Sequence, residues 1–150
     1  MNKELFRKTE SILYDYNNLA LKIDLLRAEI KDTEEFYKGC GSIVYEEKTQ
    51  ATNKFNSSVE NEILEKENRL TVLRYDLRNK VILKRRIDGA IQNLKDEERK
   101  LIELRYINKR SLSWIQISFA LKYSQEYCRK DLRKSAINKI GNIVFYDLYC

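Results

Sequence analysis

The chain has 150 residues, no Pro, no His and only 4 Gly, and 35% of its residues are charged. So few breakers exclude a turn-rich β-sandwich, and no strand–helix alternation suggests an α/β sheet, which leaves an all-α protein. There is no His, no Gly-rich phosphate loop and no metal-spaced Cys set, so neither an enzyme nor a cofactor is expected. The opening MNKELFRKTES has no apolar signal core and no 18-residue apolar run follows. The expectation is a cytoplasmic protein, away from membranes, with Cys40, Cys128 and Cys150 reduced.

The net charge of +6 is unevenly placed. Residues 1–94 hold 17 Lys and Arg against 16 Asp and Glu, whereas residues 95–140 hold 12 against 6. The excess sits in the C-terminal third, the footprint expected for a polyanion. The natural division is therefore a long-helix region over 1–94, a small module over 95–140, and an apolar tail over 141–150.

The first helix is expected from about Lys3 to Tyr37. Leu5, Ile12, Leu19 and Leu26 recur every seven residues, each followed four later by Thr9, Tyr16, Ile23 and Ile30. That stripe fits burial against a second helix of the same chain, or a coiled coil between two copies. A loop over about 38–58 comes next. Ser57 and Glu60 have the spacing of a capping box for a second long helix. Its apolar side carries Ile63, Leu70, Leu73, Leu77, Ile87, Ile91 and Leu94. Lys84, Arg85 and Arg86 read as a solvated face or a phosphate contact.

Asp96 is expected to cap a third helix, with Glu97 and Glu98 at its positive end. Leu101, Ile102 and Leu104 face inward, with Tyr106 near the helix end. Ser113 with Gln116 forms a further capping box for a short helix whose apolar surface is Trp114, Ile117, Phe119, Ala120 and Leu121. Lys122 and Tyr123 turn the chain. Ser124 caps a last helix with Cys128, Leu132, Ala136 and Ile140 at four-residue spacing, ended by Gly141.

A short helix, a tight turn and a basic helix is the helix-turn-helix pattern, whose second helix enters the major groove of double-stranded DNA. Gln125, Glu126, Tyr127, Arg129 and Lys130, in its first turns, are the candidates for base edges. Lys109, Arg110, Ser113, Arg133 and Lys134 are the candidates for phosphates. The plainer alternative is a three-helix bundle with a solvated basic face. Cys128, on the inward side, is read as a core residue rather than a nucleophile.

The stretches LKDEERKLIELRY (94–106), SWIQIS (113–118) and KYS (122–124) resemble the region-four-like domain of bacterial sigma factors, and more closely the ArpU and RinA type phage regulators. Gln116 and Ser118 stand where that pattern has an acidic residue and Ala, Lys122 where it has Gly, and the recognition-helix His is absent. The resemblance implies a DNA-binding regulator of phage or prophage genes, the late genes in particular. The stripe of the first helices points to a homodimer as one partner, and RNA polymerase is the other partner considered. A phage DNA-packaging recognition subunit and a coiled-coil adaptor for polymerase are the other readings.

Overall fold

The computed structural model describes residues 3–39 and 57–146, with side chains for 3–35 and 61–146. Every regular element among them is helical, so the protein is all-α. The elements are α1 (Lys3–Tyr14), α2 (Tyr16–Gly39), α3 (Ser57–Gln92), α4 (Asp96–Ile102) and α5 (Trp114–Leu121). Then come α6 (Gln125–Tyr127) and α7 (Arg133–Val144). A wide π-turn over Glu103–Ile107 extends α4, and another over Cys128–Leu132 joins α6 to α7 into one helix over 125–144. The side chains of the capping box expected at Ser57 and Glu60, most of the 38–58 loop and the tail beyond 146 lie outside what is described.

The chain divides into two compact units, residues 1–21 with 81–150, and residues 22–80. The boundary expected at residue 94 is thus displaced. The first unit takes in α1, the start of α2 and the end of α3. Its core holds Leu5, Leu13, Leu19, Ile87, Ala90, Ile91, Leu94, Leu101, Ile102, Tyr106 and Ile117. From the helix over 125–144 it adds Cys128, Leu132, Ala136, Ile137, Ile140 and Val144. α1 packs on α7, and α4 packs on both α5 and α7.

Packing on α7 explains how α1 departs from the expected heptads. The single predicted helix is interrupted at Asp15, although Asp15 N–H still donates to the Ser11 carbonyl (3.1 Å) and Leu19 N–H to that of Asp15 (2.8 Å). The buried stripe runs Leu5, Thr9, Leu13, then Leu19 and Ile23. Ile12 is only half-buried, so the stripe slips by one residue at the break. Thr9 satisfies its buried hydroxyl by donating to the Leu5 carbonyl (2.8 Å).

Two expected caps also shift, and one expected helix-start charge takes another role. Lys95, not Asp96, precedes α4, and its N–H donates to Glu98 Oε2 (3.3 Å). Glu98 is no mere helix-start charge, for it is 3% exposed. Its carboxylate accepts from Lys139 Nζ (2.7 and 2.8 Å) and Ser135 Oγ (2.7 Å), tying α4 to α7. Gly141 does not end the last helix. It is buried inside α7, which continues to Val144.

In the second unit, α2 and α3 are bridged by Arg69 to Glu29 (2.8 Å) and Arg74 to Glu34 (2.6 Å). Among the described residues, Ile23 is its one buried side chain. Leu25, Leu64, Val72 and Tyr75 are each more than half exposed.

Candidate nucleic-acid interface

The short α5 is held at both ends by its own sequence. Ser113 N–H donates to Gln116 Oε1 (2.9 Å) and Gln116 N–H donates back to Ser113 Oγ (3.3 Å), the expected capping box. The chain leaves α5 through Lys122 at φ 59°, ψ 34°, a left-handed conformation in which a side chain costs roughly 1–2 kcal/mol. Two bonds from the next residue accompany the turn. Tyr123 N–H donates to the Ser118 carbonyl (3.2 Å), and Tyr123 Oη donates to Glu97 (2.6 Å). Ser124 Oγ accepts from Tyr127 N–H (3.2 Å), capping the next helix as expected.

The helix over 125–144 then presents two faces. Cys128, Leu132, Ala136 and Ile140 are all buried, as expected. A strict spacing of four overshoots the 3.6 residues of an α-helical turn. The wide turn at Cys128–Leu132 absorbs part of that excess and keeps the first pair facing inward. Burial pushes the Cys128 thiol pKa up, which suits a core side chain and not a nucleophile. The other face exposes Gln125, Glu126, Tyr127, Arg129, Lys130 and Lys134. The five candidate base-contacting residues are therefore brought together on one solvent-facing surface. Lys130 shares its charge with Glu126 one turn earlier.

The candidate phosphate contacts divide. Lys109 and Arg110 are exposed in the 108–112 loop. That loop is pinned by Leu112 N–H to the Leu104 carbonyl (3.1 Å) and by Arg105 Nη1 to the Leu112 carbonyl (2.8 Å). Ser113 is exposed, but its N–H and hydroxyl are taken up by Gln116.

Arg133 is placed differently from the expectation. Its Nε and Nη2 donate to Glu10 Oε1 (2.9 and 2.6 Å), an oxygen that also accepts from Tyr106 Oη (2.7 Å). The guanidinium lies 5.4 Å from the Phe6 ring centroid and 5.9 Å from that of Trp114. Burial works against its charge, and the Glu10 carboxylate more than compensates, raising its pKa. Arg133 is thus a bolt between α1, α4 and α7 rather than a free phosphate contact.

Two further expectations change. Phe119 is 79% exposed and Ile115 is 55% exposed, and Ala120 is exposed as well, so only Ile117 on α5 is fully inward. An eight-residue helix docked along one side has no second apolar wall to cover them. In the triplet 84–86, Lys84 pairs with Asp88 (2.8 Å) and its Nζ donates to Tyr16 Oη (3.1 Å). Arg86 donates to the Val144 carbonyl (3.3 Å), which leaves Arg85 as the exposed member.

Lys3 and Phe6 were not expected near this surface. They line a groove with Arg129, Lys130, Arg133, Lys134 and Asn138. No local pattern could have signalled them, because only the packing of α1 on α7 brings them there.

Among the described residues no helix is long and apolar enough to cross a membrane, and no group of His, Cys, Asp and Glu could hold a metal. Residues 5–141 match a family model described as Protein of unknown function (DUF722). No curated protein and no solved structure matches the chain.

Proposed function

For this chain, which belongs to the family DUF722, we propose a sequence-specific regulator of transcription that reads double-stranded DNA through a helix-turn-helix formed by α5 and the helix over 125–144. The observation that carries this reading is the exposed row Gln125, Glu126, Arg129 and Lys130 on a helix start capped by Ser124. Arg bonds guanine in bidentate fashion and Gln bonds adenine, so the row has the chemistry of base-edge contact. Lys134, Lys109 and Arg110 supply phosphate contacts beside it. Control of phage or prophage genes, late genes in particular, rests on the resemblance of residues 94–140 to that regulator family.

Leu25, Leu64, Val72 and Tyr75 on the second unit support self-association of two copies through the long helices, because a helix pair that buries so little needs further apolar cover. The exposed pair Ile115 and Phe119, one turn apart on α5, favours a second role as a contact for a protein such as RNA polymerase.

The test is selection of bound fragments from host and phage DNA, followed by titration on the enriched site and on a random duplex. Arg129→Ala is expected to lose about 1–3 kcal/mol on the enriched site and far less on the random one. If no fragment is enriched and no duplex binds at low salt, the reading fails.

A further inference from the structure

The groove between α1 and the helix over 125–144 has a volume of about 620 Å³. Lys3 and Phe6 come from one side, and Arg129, Lys130, Lys134 and Asn138 from the other. Among the described residues, Lys3, Arg129 and Lys134 have no carboxylate partner, and no carboxylate lines the groove. Arg133 is neutralised by Glu10, yet its guanidinium over the Phe6 ring holds the two sides together. Cations left unpaired around one groove make a site for an anion, and here they form a row rather than a ring. Positions 129 to 138 extend about 13 Å along the helix axis at 1.5 Å per residue. A DNA strand advances about 3.4 Å per phosphate along the duplex axis, so the row is long enough for at least two successive phosphates. A single free phosphate would instead need donors converging on one point.

We propose that this groove takes one phosphodiester strand of double-stranded DNA, and that Lys3 at the start of α1 is a phosphate contact of that strand. Arg129 and Lys130 border both the groove and the exposed face of the helix, so the strand is the edge of the same duplex. Lys134 pairs with a neighbouring phosphate, Asn138 donates from its amide, and the Phe6 ring packs against a sugar. The proposal rests on the DNA-reading function above and adds the N-terminal helix to it.

The full chain would be titrated at several salt concentrations on the enriched duplex and on a random one. Lys3→Gln is expected to make the log–log salt slope shallower by about 0.9 on both. Between 50 and 200 mM salt that changes the relative affinity about 3.5-fold. Lys100→Gln, an exposed cation that does not line the groove, serves as the control for diffuse charge. Circular dichroism would confirm that both variants fold. If Lys3→Gln leaves the slope unchanged while Arg129→Ala still loses the enriched site, the groove proposal is overturned and the DNA reading stands. Equal effects of Lys3→Gln and Lys100→Gln would also overturn it, as would displacement of DNA from the wild type by millimolar inorganic phosphate. A wild type that binds neither duplex removes both readings.

Discussion

The two units of this chain use helices of similar polarity in opposite ways. The unit of residues 3–21 and 81–146 draws buried apolar side chains from every one of its long elements, whereas the described part of residues 22–80 buries Ile23 alone. In the second unit the described cross-helix links include the ion pairs of Arg69 and Arg74, whose side chains are 64% and 58% exposed. Pairs that open to water contribute little, since solvent screens them and two long side chains must be ordered. Helical length is therefore no guide to stability here. The shorter helices belong to the unit with the larger core.

The comparison is broken most strongly by deleting core volume. Leu101 is fully buried, so Leu101→Ala is expected to cost about 2–5 kcal/mol in urea unfolding. Val72→Ala, at a position 66% exposed, is expected to stay within about 0.5 kcal/mol at low protein concentration. Similar losses at both positions would show that the second unit has a core of its own, supplied by a second copy.

Next in size is the junction at Glu10, where one carboxylate oxygen serves both Tyr106 and Arg133. Glu10→Ala leaves a half-buried guanidinium and a buried phenol without their acceptor. The expected loss is about 2–3 kcal/mol. Arg133→Ala should destabilise the fold in the same assay, and the salt slope on DNA should hardly respond.

Acid titration sharpens the contrast. Burial alone would raise the Glu98 pKa, but the hydrogen bonds from Lys139, Ser135 and the Lys95 N–H outweigh it and set the carboxyl below its ordinary 4.5. A depressed folded-state pKa means that the unfolded chain takes up the proton first. The stability this adds is present above the ordinary carboxylate range and is lost as pH falls through the folded value. Glu98→Gln should lower stability at pH 7 and flatten the acid limb of the unfolding curve. An unchanged limb would place the acid sensitivity elsewhere.

The smallest effects belong to the bridges of the second unit. Arg69→Ala and Arg74→Ala should each cost less than about 1 kcal/mol, and less again at high salt. A larger, salt-independent loss would mean that those helices are shielded from water in the assembled protein.

Much of the architecture was legible in the residues. The caps at Ser113 with Gln116 and at Ser124, the turn at Lys122 and the inward face from Cys128 to Ile140 are all where spacing places them. Two places where the sequence signals misled are instructive. Heptads assume that a helix meets one partner throughout, but α1 packs on α7, so Leu13 replaces Ile12 at the buried position. Gly141 signals a helix end only where the chain must turn, and α7 is carried past it by burial of Val144.

The sequence by itself determined the all-helical class, the caps at Ser113 and Ser124 and the concentration of positive charge in residues 95–140, because those features depend on neighbours within a turn or two. Which charges remain free was decided by the tertiary structure. Arg133 and Glu10 are 123 positions apart, and Tyr106 and Glu10 are 96 apart. Nothing along the chain signals such pairs, so a basic residue that reads as a DNA contact becomes a bolt of the core. Lys3, distant in the chain, arrives at the basic groove by the same docking of α1. A buried ion pair between distant segments forms only where packing brings the two charges together, and no pattern along the chain decides that.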